Sequence, residues 1–280
     1  MMREIDLNII TENVREMILE AACELEAGIL EKLKEAVKSE ESPLGKSVLR
    51  NIESNAELAS KKRIPMCQDT GMVVVFLEIG SEVIFRGDLE EAVNEGVRRA
   101  YTEGYLRKSV VRHPLERLNT RDNTPAIIHT RIVSGDSIKI SLAPKGAGSE
   151  NVSFVKILPP GEGEEGIKKT VVEAVLKAGG KPCPPIIVGV GIGGNLEKAA
   201  LLAKEALLRD IDDEAEHPLD RKLERELLEE INKTGIGPMG FGGTVTALTV
   251  KVNSYPCHIA SLPVAVNFQC HAARHRQRII

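Results

Sequence analysis

The chain has no tryptophan, aromatic residues make up only 3% of it, and no block of like charge interrupts it. Scarce aromatics weaken any recognition built on base stacking or aromatic cages. With 37 basic against 41 acidic residues and a net charge of -4, the chain lacks an electrostatic footprint for nucleic acid, so no such partner is expected. Its longest apolar runs, residues 72–77 and 184–192, fall far short of the roughly 20 residues that cross a bilayer, and no membrane span is expected. The start carries Glu4 and Asp6 and lacks the basic region and apolar core of a secretory signal, which points to a cytoplasmic protein. Cysteines number five, an odd count spread widely, with no C-x-x-C pair. A disulfide framework is disfavoured, and a zinc knuckle or thioredoxin-like motif is excluded.

What is present is enough apolar sequence, 42% of 280 residues, for one large domain or two modest ones. Residues 9–62 read as helical, because Val14, Ile18, Ala21, Ala22, Leu25 and Leu30 recur at three- and four-residue steps. Ser42-Pro43 supplies an N-cap and a first-turn proline for a second helix. From Pro65 the character changes, and residues 73–77 read as a buried strand. Asp88 with Glu91 resembles a capping box for a helix to about Thr102. Residues 127–133 and 138–142, joined through Gly135-Asp136, read as a hairpin. Beyond a loop at 145–151, strands at 152–157 and 185–192 alternate with helices at 167–178 and 196–208. Leu219, Leu223, Leu227 and Ile231 stripe a last helix whose other face, Glu224 included, is read as solvated. The expected fold is α/β, or α+β, with a helical region at 1–62 packed on a mixed sheet region at 63–280 that carries the chemistry.

Three constellations stand out. Gly189-Val190-Gly191-Ile192-Gly193-Gly194 follows a strand and opens a helix, matching the dinucleotide pattern of an NAD-dependent dehydrogenase. The parallel strand ending in an acid that should follow is not evident after Asp210, so a tight strand-to-helix turn is the better reading. The second is the thiols: Cys67, Cys183 and Cys270 fall at loop-strand junctions, where a loop aims a group and a sheet holds it. Cys23, on an amphipathic helix, reads as a core residue. Taken alone, the thiols favour buried, inert cysteines, and a scaffold or regulatory subunit with inert thiols is the non-enzymatic alternative. The third is what adjoins them. Gln68 and Asp69 follow Cys67, and His258 precedes Cys270, so proton carriers accompany the thiols. Lys145-Gly146-Ala147-Gly148-Ser149 can turn backbone amides toward an anion, and Arg107 can clamp a carboxylate or lie on the surface. His271, Arg274, His275, Arg276 and Arg278 form a basic tail, read either as disordered or as an anion-facing lip or subunit contact.

Together these motifs, with Leu106-Arg107-Lys108-Ser109, Cys183-Pro184-Pro185 and Phe241-Gly242-Gly243, resemble over almost the whole chain the alpha subunit of class I iron-sulfur fumarate hydratases and L-tartrate dehydratases. The resemblance implies a [4Fe-4S] cluster on Cys67, Cys183 and Cys270, with one iron open as a Lewis acid. It implies that Gln68, Asp69, Arg107, Gly146 and Gly148 hold substrate carboxylates, and that Asp69 and His258 deliver the proton at the hydroxyl. The implied reaction is the citric acid cycle interconversion of fumarate and malate, with tartrate dehydration as the alternative. In single-chain relatives the base acting at carbon lies in a C-terminal part beyond the point where this chain ends. A separate beta subunit in a higher-order heteromer is therefore implied. Ala147 stands where a third glycine often occurs, and Cys257 beside His258 is a further departure.

Overall fold

The computed structural model describes residues 2–280. In chain order the elements are β1 (Arg3–Glu4), α1 (Leu7–Cys23), α2 (Ala27–Ser39), α3 (Pro43–Lys62), β2 (Met72–Gly80), β3 (Val83–Ile84), α4 (Leu89–Glu103), β4 (Ile127–Val133), β5 (Ile138–Lys145), α5 (Ala147–Glu150), β6 (Phe154–Leu158), α6 (Gly163–Ala178), β7 (Ile186–Gly193), α7 (Leu196–Ala206), α8 (Pro218–Asn232), β8 (Ala247–Tyr255), β9 (Leu262–Gln269) and β10 (Arg276–Ile279). The fold is α/β. Among the described residues no helix is long and apolar enough to cross a membrane.

The chain divides into two compact units. Unit 1 takes the residues up to Glu26, then Ala56–Ala147 and Arg274–Ile280; unit 2 takes Ala27–Asn55 and Gly148–Ala273. The expected single helical region on one mixed sheet therefore becomes two four-stranded sheets, each with its own helices. The reason lies in the apolar faces. Ile10, Val14, Met17 and Ile18 of α1 enter the unit 1 core, while Ile29, Leu33 and Ala36 of α2 are buried within unit 2.

In unit 1 the strand order is β10-β5-β2-β4. The predicted β4-β5 hairpin does not form, because β2 lies between them, parallel to β4 and antiparallel to β5. Val73, Val75 and Leu77 of β2 point into the core against α1 and α4, and the central place of β2 gives both its edges a hydrogen-bonding partner. The 134–137 connection folds over the end of β2 instead, where Gly80 N donates to Ser137 O and Glu82 N to Gly135 O, both at 2.9 Å. The expected caps are present: Asp88 accepts from Glu91 N, and Ser42 from Gly45 N. The basic tail is ordered, with β10 pairing antiparallel to β5 and Arg278 bridging to Glu16 and Glu20.

In unit 2 the order is β6-β9-β7-β8. Ile186, Val188 and Val190 join the core formed with α6 and α8, and the intervening glycines of β7 meet α7. A Cβ on Gly191 would stand 2.0 Å from Ala199 O, so the glycine pattern that resembles a dinucleotide fingerprint serves close helix-on-strand packing. The α8 face read as solvated is only partly so. Glu224 is buried, accepting from Arg209 Nη1 at 2.8 Å, Val252 N at 2.8 Å and Ala215 N at 3.0 Å.

A second buried carboxylate anchors the α2-α3 corner. Glu40, 1% exposed, accepts from the amides of Ser42 at 2.8 Å, Thr244 at 2.9 Å and Val245 at 2.8 Å. Burial pushes its carboxyl up, but those amides outweigh burial and hold it below its ordinary value. A depressed carboxylate stabilises the fold above its unfolded value, near 4.5, and loses that contribution as pH falls through the folded value. Urea denaturation of wild type and Glu40→Gln is expected to show a wild-type advantage that is full at neutral pH and shrinks below about pH 4.5. A gap that stays constant through that range contradicts the assignment.

Candidate active site

The Cys67 loop is fixed by its own backbone. The β2-β5 register, with Met72 opposite Lys145, sets the entry to β2 beside the exit from β5. Asp69 spans that gap, with Oδ1 accepting from Gly71 N at 3.1 Å and Oδ2 from Ala147 N at 2.8 Å. The predicted 145–151 loop is thus shorter than expected: β5 runs to Lys145, Ala147–Glu150 is one helical turn, and the amide of Ala147 points at the chain's own carboxylate. Gly146 leaves room for this contact, since a Cβ there would stand 3.1 Å from Asp69 Oδ2.

Two residues missed by sequence reasoning complete the loop's support. Tyr101 of α4, fully buried, places its hydroxyl 2.7 Å from Thr70 O and 2.8 Å from Gly71 O. Burial pushes that phenol well above its usual range, so it remains a donor. Asn123, in the left-handed region at φ 65°, donates to Gly71 O at 3.1 Å and accepts from Ser109 N at 2.7 Å. Thr70 Oγ1 donates to Arg107 O at 2.9 Å, which ties the Arg107 segment to the same loop. The side chains of Gln68 and Arg107 are exposed. A tyrosine on an apolar helix face and an asparagine suited to positive φ were the available signals.

In unit 2 the structure brings two of the thiol-bearing segments together. Cys183 precedes β7 and Cys270 follows β9, and because those strands are antiparallel both lie at one end of the sheet. His271 joins them, with its amide 3.3 Å and its Nδ1 3.0 Å from Cys183 O. Cys183 adopts φ 56°, a strained conformation for a residue with a side chain, of the kind that surrounding structure enforces at functional sites. His258 does not join this corner. It lies on the β8-β9 connection, so the eight residues of β9 separate it from Cys270 by roughly 26 Å at about 3.3 Å per residue. There its Nδ1 accepts from Ala260 N at 3.1 Å, and it lines a cavity of about 400 Å³ with Cys257, Ser261 and Leu223.

The donor chemistry suits a thiolate-held group. Cys67, Cys183 and Cys270 are part-exposed and unbridged, whereas Cys23 is buried in the unit 1 core, where burial pushes its thiol up. Near the Cys67 loop, Arg274 is 1% exposed, with Nε and Nη1 buried and lacking hydrogen-bond partners, as befits a countercharge to an anion. Among the described residues no three His, Cys, Asp or Glu side chains gather as ligands of a single metal ion. Thiolates around a four-iron cube stand farther apart than the ligands of one ion, so that finding bears on mononuclear sites. His129 stacks on Phe76 at 4.8 Å between ring centroids, and His217 caps α8, structural roles in both cases.

The Gly146-Asp69 contact is testable. Gly146→Ala is expected to displace Asp69 and lower kcat/KM by about 10- to 100-fold with little change in thermal stability. Unchanged kinetics would contradict a role for the Gly146-Asp69 contact in turnover.

The profile of the fumarate hydratase (Fumerase) family matches residues 11–278. A Methanocaldococcus jannaschii protein provisionally named L(+)-tartrate dehydratase subunit alpha is 46% identical over 95% of each chain. The L(+)-tartrate dehydratase subunit alpha of Escherichia coli K12 is 32% identical over 96% of this chain and 89% of its own, and that of Shigella sonnei is equally similar. The order of motifs around Asp69, Cys183 and Cys270 and the extent of these matches agree: the chain belongs to the fumarate hydratase family of hydro-lyases.

Proposed function

We propose that this chain is the cluster-bearing alpha subunit of a cytoplasmic [4Fe-4S] hydro-lyase that interconverts fumarate and malate. The observation that carries the reading is the thiol arrangement: Cys183 and Cys270 share one sheet end through His271, and Cys67 opens the loop that Asp69 pins. Cys67, Cys183 and Cys270 would hold the cluster, which when bound supplies an open iron as the Lewis acid for the substrate hydroxyl. Both Asp69 oxygens accept one amide each, which fixes the carboxylate yet leaves lone pairs for a substrate proton. Gln68 and Arg107, exposed beside that loop, and the Gly146 and Gly148 backbone would bind substrate carboxylates. The subunit alpha names of the relatives support a separate beta subunit in a heteromer, and that partner would supply the base acting at carbon. Those names also favour a second reading, tartrate as substrate.

The test is the anaerobically purified protein, co-expressed with its partner. Iron and sulfide are expected in amounts near four per site, with loss in Cys67→Ser, Cys183→Ser and Cys270→Ser, and activity is expected to fall in air and return with iron and thiol. Fumarate hydration should exceed tartrate dehydration. Activity on tartrate alone replaces the substrate, and iron-free, oxygen-indifferent activity removes the mechanism.

The position of His258 has its own consequence. Standing at the far end of β9 from Cys270, it would reach the Cys270 corner from a second copy of the chain. Co-expressed Asp69→Asn and His258→Asn chains, each inactive alone, are then expected to regain about a quarter of wild-type activity through mixed dimers. No recovery despite mixed assembly contradicts the shared site.

A further inference from the structure

Arg274 is among the largest fully buried side chains, and its Nε and Nη1 are enclosed without hydrogen-bond partners. A guanidinium keeps its charge, so its burial must be offset by negative charge nearby. The surroundings indicate where. Nη2 stands 3.6 Å from the position a Cβ on Gly146 would take, and Asp69 Oδ2 stands 3.1 Å from that same position. Guanidinium and carboxylate therefore flank one glycine without forming an ion pair. The Tyr101 phenol, which holds the Cys67–Gly71 loop, is under the charge of both Arg274 and Asp69. The segment that carries Arg274 is itself held down, by the His275 Nε2 to Glu26 contact at 3.0 Å on its next residue and by the β10-β5 pairing beyond.

We propose that Arg274 is a positioning residue: a permanent buried cation that sets the electrostatic potential for the anionic, thiolate-held cluster over the Cys67–Gly71 loop, beside Asp69. The proposal rests on the cluster reading above. It assigns Arg274 no contact with substrate. A fixed positive charge stabilises the more negative, reduced state of a neighbouring cluster, so its removal makes that state harder to reach.

The experiment is a midpoint-potential titration, followed by electron paramagnetic resonance, of anaerobically purified wild type, Arg274→Lys and Arg274→Met, each co-expressed with the partner and assayed for iron and sulfide. In Arg274→Met the reduced-to-oxidised ratio at a given potential is expected to drop about tenfold, a shift of about 59 mV to more negative potential for a one-electron couple. Arg274→Lys is expected to stay near wild type. Should Arg274→Met not fold, the same shift is read between Asp69→Asn and Asp69→Asn/Arg274→Met, the double variant losing one charge of each sign. A wild type without iron and sulfide defeats the cluster reading itself. A loaded wild type with an unshifted methionine variant, or failure of both backgrounds to fold, overturns the role assigned to Arg274.

Discussion

A carboxylate between two main-chain amides holds the working end of unit 1. Asp69 reaches from the entry of β2 to the exit of β5, and the antiparallel register of those strands is what sets the two loops side by side. Everything else assigned to that end follows from this bridge. Cys67 precedes it in the same loop, the Arg107 segment is hydrogen-bonded to Thr70 within it, and Tyr101 and Asn123 clamp its carbonyls from beneath. A loop so fixed presents its thiol and carboxylate in one geometry, which a site that must orient a small substrate requires.

The molecule relies repeatedly on buried charge satisfied by backbone. Glu40 and Glu224 each gather main-chain amides, and Lys251 donates to the carbonyl of Ile211 at 3.0 Å. Each ties segments far apart in sequence, because a buried ion accepts only a geometry that satisfies it. Arg274 departs from this pattern, since two of its nitrogens have no such partner. The difference between a satisfied and an unsatisfied buried ion separates scaffold from site here.

Local signals in the sequence identified most elements. The Ser42 and Asp88 caps, the Gly179 terminus of α6, and the apolar runs of β2 and β7 act over a few residues and appear where expected. Cys23 was legible as a core residue for the same reason. Partners distant along the chain were not legible. Adjacent strands β4 and β5 look like a hairpin until β2 is placed between them, a pairing no local signal announces. Glu224 resembles any surface glutamate until Arg209 and two amides close on it, and Arg274 resembles a tail residue until β10 joins the sheet. The motif at Gly189 misleads because minimal side chains suit both a bound pyrophosphate and a closely packed helix.

The strand β10 also bears on when the protein becomes competent. Unit 1 combines the earliest described residues with the last, so during synthesis its sheet waits for an edge that leaves the ribosome only after every residue of unit 2. Through that interval unit 2 can condense on its own, while the Asp69 corner still lacks Arg274. A nascent chain therefore carries an unfinished corner until β10 has emerged and paired with β5.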